Sequence, residues 1–133
     1  MGGVITDENE SGCWTEHHSI VQYKGQWYLF YHDKQLSSRF DENRSVLVDY
    51  LNLNGDGTIQ KVIPTLRGVG VAVAKSKIQI DRYSATSMNG VSNSFLNPAN
   101  TFEGWKVSLI GKDTWIQFDR VDFGTGGLKS VNV

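Results

Sequence analysis

The residues of this chain that could do chemistry are carboxylates, a histidine pair and one cysteine, most of them in its first half. The acids there are Asp7, Glu8, Glu10, Glu16, Asp33, Asp41, Glu42, Asp49 and Asp56. General acid–base work by paired carboxylates needs two at a set separation, one of them kept protonated by its surroundings. Most of these acids fall in polar stretches, where they ionise normally, and no pair stands out. His17-His18 sits just before a β-rich run. Neighbours on a strand point to opposite faces, so the two cannot easily grip one metal together. One of them could be a ligand, or both could be satisfied by hydrogen bonds. Asn52-Leu53-Asn54-Gly55-Asp56-Gly57-Thr58-Ile59 matches the first half of a calcium-binding loop. Such a loop needs a bidentate acid at its twelfth position, which here is Ile63, followed by Pro64. The run therefore reads as a β-turn between strands. Cys13 is the single cysteine and cannot form an internal disulfide.

The elements that would position these groups are strands. Four Trp, five Tyr and six Phe, with fourteen Gly against two Pro, favour strands and tight turns over helices. Residues 1–16 read as a loop or entering tail. Ser19–Tyr23 and Gln26–Tyr31 flank Lys24-Gly25, a two-residue hairpin signal. Trp27, Leu29 and Tyr31 share one face and Tyr28, Phe30 and His32 the other. Both faces are largely apolar, which predicts cover on both sides. Residues 33–43 read as a loop, 44–51 as a third strand and 58–63 as a fourth. Four antiparallel strands in this span match one blade of a β-propeller. Residues 65–77 read as a connection, 78–80 as a short strand, and 84–101 as mostly loop. Strands follow around 105–110 and 114–118, and 128–133 reads as a strand at which the chain stops.

A net charge of −1 gives no sign of a nucleic-acid or membrane-surface partner. No run approaches the roughly 20 apolar residues that span a bilayer, and the start lacks a signal-peptide pattern. Met1-Gly2-Gly3-Val4-Ile5-Thr6 fits the short, permissive N-myristoylation pattern, but a start codon before Gly3 is the favoured reading, since a single lipid chain anchors only weakly. Trp105 and Trp115 could stack on a pyranose, although a strand tryptophan is more often core.

The segment Glu16-His17-His18-Ser19-Ile20-Val21-Gln22-Tyr23-Lys24-Gly25-Gln26-Trp27-Tyr28-Leu29-Phe30-Tyr31-His32 resembles the closing blade of glycoside hydrolase family 43. Members are five-bladed propellers acting on xylan and arabinan. Arg44-Ser45-Val46-Leu47-Val48-Asp49-Tyr50 and Asp56-Gly57-Thr58-Ile59 continue the resemblance in order, over roughly residues 3–68. It implies that His17 matches the family's channel-facing histidine, which often helps to hold a metal ion or water. Arg44 matches an arginine that reaches toward the substrate pocket, where its cationic fork suits sugar hydroxyls or a carboxylate. The family's inverting machinery comprises two aspartates and a glutamate on earlier blades, which this chain does not contain. The second half resembles the start of a family 6 carbohydrate-binding module, a β-sandwich. The resemblance is carried by Ile78-Gln79-Ile80-Asp81-Arg82-Tyr83, Ser87-Met88-Asn89-Gly90-Val91, Asp113-Thr114-Trp115-Ile116-Gln117-Phe118 and Val121-Asp122-Phe123-Gly124. It places Gln79 and Asp81 where that family holds a structural calcium, with Leu109 in place of a sugar-stacking aromatic.

The expectation is an all-β chain, with the last blade of a five-bladed propeller at 1–68, a linker at 69–77 and a truncated β-sandwich (jelly-roll) segment at 78–133. The resemblance implies part of an arabinofuranosidase or β-xylosidase, inactive alone, whose partners are plant cell-wall polysaccharide or oligosaccharide and the rest of its enzyme. The parent enzyme is expected to be secreted or periplasmic. A non-catalytic carbohydrate-binding module, or a structural piece that pairs through exposed blade edges, are the competing readings.

Overall fold

A computed structural model describes residues 5–6, 17–33, 44–127 and 129–132. The chain divides into two compact units, Met1–Val69 and Gly70–Val133. All regular elements among the described residues are strands, apart from one 3-10 turn.

The first unit is built on an antiparallel sheet of β1 (Ser19–Tyr23), β2 (Gln26–Asp33) and β3 (Ser45–Leu51), in that order. The hairpin forms as its sequence predicts. Lys24 and Gly25 take φ of 49° and 82°, the paired left-handed geometry that closes a two-residue turn in step with strand twist. Tyr23 therefore pairs with Gln26, and the register runs outward to Ser19 opposite Phe30. Leu29, Tyr31, Leu47 and Leu51 are buried together on one face. Each such side chain contributes about 2 kcal/mol through removal from water. Val62 and Leu66 are the other buried apolar residues among those described in this unit.

The opposite face does not follow expectation. Tyr28 and Tyr50 pack across it, ring centroids 5.6 Å apart, but Phe30 is exposed and Val46 is 75% exposed. The apolar alternation on both faces predicts two covering layers, and the described residues supply one. β1, an edge strand, is exposed along its whole length.

The expected fourth strand at 58–63 is also absent. In its place stand two isolated bridges, Leu53 with Ile59 and Thr6 with Val62. The intervening turn is knitted by its own polar groups. Gly57 N donates to Asn54 O (2.9 Å), while Thr58 donates to Asp56 Oδ1 through N (3.0 Å) and Oγ1 (2.6 Å). Gln60 Nε2 donates to Asn54 Oδ1 at 3.1 Å. These local bonds occupy the groups a longer ladder would leave facing solvent. They also use the oxygens that a calcium loop would offer, and the Thr58 hydroxyl, then its N–H, hold the Asp56 carboxyl below its ordinary value. The motif is a turn, as expected, but it is flanked by isolated bridges and does not join two full strands.

In the second unit the strands are short: β4 (Ala72–Val73), β5 (Ala85–Thr86), β6 (Val91–Phe95), β7 (Trp105–Leu109), β8 (Ile116–Gln117) and β9 (Val121–Asp122). They pair as three two-stranded ribbons, β6 with β7 and β5 with β8 antiparallel, β4 with β9 parallel. Several sequence expectations change here. β4 falls inside the segment read as linker, held by Ala72 N to Arg120 O and Ala74 N to Asp122 O. Residues 78–80 form no strand, because the chain turns there, with Arg82 N donating to Gln79 O. The Asn- and Ser-rich stretch read as loop contains β5 and β6. Cross-strand pairing overrides its weak strand propensity. Residues 129–132 are not in a strand. Among the described residues of this unit, the buried side chains are Asp81 and Tyr83.

Candidate functional site

At one end of the first unit's sheet, the β1–β2 register carried two residues beyond Ser19 sets His17 opposite His32. The contact is real in space. The His17 backbone N lies 3.4 Å from His32 Nδ1, and the two rings sit 5.6 Å apart, tilted by 36°. His17 and His18 are exposed, while His32 is 7% exposed. Arg44 is exposed and lies just before β3, two residues from Val46, which pairs with His32. The register thus brings the two expected pocket residues, His17 and Arg44, to one sheet end. It adds His32, which sequence reading placed on a face without giving it a role.

The carboxylates fare differently. Asp7, Glu8, Glu10, Glu16, Asp41 and Glu42 lie outside the described residues, as do Cys13 and the N-myristoylation pattern around Gly2. Asp49 is 6% exposed and fully engaged. Its Oδ2 accepts from the Tyr31 hydroxyl (2.6 Å) and the Thr65 N–H (3.0 Å), and its Oδ1 accepts from Thr65 Oγ1 (2.8 Å). Thr65 N also lies 3.1 Å from the Tyr31 hydroxyl. The cluster ties the chain after Pro64 to the buried face of the sheet. Asp49 stands at an inward position between Leu47 and Leu51. That alternation was the signal that could have separated it from the other acids.

In the second unit, Trp105 pairs with Phe95 across β6 and β7, ring centroids 4.3 Å apart at 31°. One face of its indole is covered, in keeping with a structural part. Trp115 is 47% exposed, and its backbone is fixed by Ser87, whose N–H donates to Trp115 O (3.0 Å) and whose Oγ accepts from Trp115 N (3.3 Å). Of the two tryptophans, Trp115 has the open aromatic surface.

The expected calcium ligands separate. Gln79 is exposed, whereas Asp81 is 3% exposed with its Oδ2 lacking a hydrogen bond. Arg82 Nε approaches that same oxygen at 3.5 Å. A calcium takes six to eight oxygens. One carboxylate oxygen already faced by a guanidinium does not make that set by itself, and no group of three His, Cys, Asp or Glu stands ready for a metal among the described residues. His17, the other expected metal ligand, belongs to the first unit.

Near Asp81, Tyr83 is buried and accepts from Asn93 Nδ2 at 3.0 Å. Burial pushes its phenol above the ordinary 10.0, and the Asp81 charge adds to this, while the Asn93 bond works the other way. The unfolded phenol therefore ionises first as pH rises past 10.0, so the folded state binds more protons and loses stability from there upward. Thermal melting across this range should show a steeper alkaline decline for the native second unit than for Tyr83→Phe. Equal slopes would refute the assignment.

No family model matches the chain. Curated relatives match stretches of it. A 46-residue stretch is 50% identical to xylosidase/arabinosidase 43A of Humicola insolens, covering 35% of this chain and 14% of the relative. A 49-residue stretch is 49% identical to a β-xylosidase of Xylanibacter ruminicola, covering 37% and 15%. A 46-residue stretch is 48% identical to a xylosidase/arabinosidase of Bacteroides ovatus. Part of this chain is similar to xylosidases and arabinosidases. It spans about one seventh of the length of those relatives (14–15%). Among solved structures, CoXyl43 is a family 43 β-xylosidase/α-arabinofuranosidase from a compost microbial metagenome, solved with xylotriose. It shares 51% identity over 38% of this chain and 16% of its own, with a TM-score of 0.36. A family 43 arabinoxylan arabinofuranohydrolase from Bacillus subtilis, solved with cellotetraose, shares 24% identity over 84% of this chain and 24% of its own, with a TM-score of 0.45.

Proposed function

We propose that this chain is the C-terminal part of a family 43-type glycoside hydrolase acting on xylan or arabinan side chains or their oligosaccharides. In that reading the first unit is the closing propeller blade, and the second is the beginning of a carbohydrate-binding sandwich. The observation that carries it is the stretch about half identical to three xylosidase/arabinosidase relatives. The first unit would lend His17 and Arg44 to the rim of a sugar pocket. The acid and base of an inverting cleavage would come from other blades, since Asp49 and Asp56 already serve the fold. The parent enzyme would be secreted or periplasmic, where its polymer is. A calcium at Asp81 would need further oxygen donors from elsewhere. Sequencing the genomic DNA upstream of the Gly3 codon tests the reading. The expected result is an open frame encoding further strands with Asp and Glu motifs between them. An in-frame stop directly upstream would overturn it.

The exposure of Trp115 favours a second reading, a non-catalytic glycan-binding module. Affinity electrophoresis in arabinoxylan gels separates the two. A module should be retarded, and Trp115→Ala should weaken retention several-fold while Trp105→Ala, whose ring is covered by Phe95, changes it less. Migration unaffected by the polymer would remove this reading.

A further inference from the structure

His32 is the penultimate residue of β2, and its side chain is nearly closed to solvent. The atom facing its Nδ1 is the His17 backbone nitrogen, which can only donate. In a neutral imidazole one ring nitrogen accepts and the other carries the proton. In the neutral ring this contact leaves the proton on Nε2. That atom is buried and has no hydrogen-bond partner. Buried polar side-chain atoms nearly always find one, so a buried donor without a protein partner calls for an acceptor from a water or a ligand.

The surroundings limit what that acceptor is. The exposed His17 ring lies alongside, and Arg44, also exposed, precedes β3 at the same sheet end. An N–H donor calls for an acceptor atom, such as a hydroxyl oxygen. Val46, which pairs with His32 in the register, offers apolar surface against which the carbon skeleton of a sugar can lie.

We propose that His32 is a third ligand-facing polar residue at this sheet end, its Nε2–H donating to a hydroxyl oxygen of a bound pentose beside His17 and Arg44. The proposal rests on the glycan-pocket reading given above, and it names the donor that fixes the sugar's orientation. Nδ1 meanwhile holds the His17 backbone, so one ring both orients the neighbouring residue and contacts the ligand.

The test uses the 133-residue chain labelled with 15N at histidine and arginine, with xylotriose as the probe. Long-range 1H–15N spectra should show His32 in the Nε2–H form without sugar, and xylotriose should shift its Nε2 signal. His32→Phe keeps the ring's bulk but removes the donor, and should weaken xylotriose binding about tenfold, the worth of one hydrogen bond. His32→Gln, whose amide can donate to the same oxygen, should recover part of the loss, which a purely structural role would not predict. An Nδ1–H tautomer would overturn the proposal. So would signals of His17 and Arg44 that move with sugar while His32 stays still, because the pocket would then stand without it. An Nε2–H that is protected but indifferent to sugar would mean a trapped water instead. If xylotriose moves none of these signals, the proposal and the glycan-pocket reading fall together.

Discussion

Asp49→Ala should destabilise the first unit by about 4 kcal/mol, because it takes the acceptor from three donors at once, one of them buried and two half-buried. The carboxylate receives the Tyr31 hydroxyl, the Thr65 N–H and the Thr65 hydroxyl, all at 3.0 Å or less. Each orphaned donor costs about 1–3 kcal/mol, and the costs do not add fully, since Tyr31 and Thr65 remain close enough to bond one another (3.1 Å). Against a typical total stability of about 5–15 kcal/mol, a loss of this size brings the unit near its unfolding threshold. Asp49→Asn separates the lost bonds from the lost volume. Its Oδ1 can still accept from Tyr31 and the Thr65 N–H, and its amide can donate to Thr65 Oγ1, so the expected loss is about 1 kcal/mol. Urea titration followed by hydrogen exchange of β2 and β3 amides reads this unit apart from the other. Equal losses in the two variants would show that the site needs a charge rather than an acceptor set. A loss below about 1 kcal/mol for alanine would show that the cluster does not hold the unit together.

The same cluster shows where sequence reading reached and where it stopped. The β1–β2 hairpin was legible because two local signals agreed, alternating apolar residues and a Lys-Gly turn that tolerates positive φ. The third strand was legible for the same reason, and its alternation contained the clue to Asp49. Composition alone does not separate this acid from those of the polar loops, and its partner Thr65 lies 16 residues away with no local signature. The fourth strand failed in the opposite way. Thr58–Ile63 has strand-like composition, but the polar side chains of the Asn54–Thr58 turn bond locally, and the segment makes only isolated bridges. In the second unit β6 was hidden, because Val91-Ser92-Asn93-Ser94-Phe95 becomes a strand only through its five pairs with β7. The candidate site divides likewise. His17 and Arg44 came from resemblance to a family, since nothing in their spacing marks them. His32 needed the fold, because only the cross-strand contact shows which ring nitrogen is taken and which is left bare.

Gly90→Ala is the other change expected to act strongly, and in the second unit. Gly90 has φ of +85°, and a Cβ there would sit 2.3 Å from the Ile110 carbonyl oxygen and 2.5 Å from Thr114 Cγ2. The left-handed conformation alone costs alanine about 1 kcal/mol. The oxygen cannot simply swing away, because Ile110 directly follows β7 and its own N–H donates to Gly90 O at 2.7 Å. Relief requires the two backbones to part, which breaks that bond and opens the end of the β6–β7 ribbon, for a total of about 3 kcal/mol. Gly124→Ala is the matching control: its φ is +70° but nothing lies within 4 Å of the added carbon, so about 1 kcal/mol is expected. The clash also reaches the candidate glycan surface. Thr114 immediately precedes Trp115, and its hydroxyl is tied to Gly111 O at 3.1 Å, so displacing its methyl shifts the loop that presents the exposed indole. If Trp115 is a sugar platform, Gly90→Ala should therefore weaken retention on arabinoxylan even at temperatures where the unit stays folded, and Gly124→Ala should not. Equal destabilisation in the two variants would show that φ alone, and not the close approach to Ile110, sets the need for glycine at position 90.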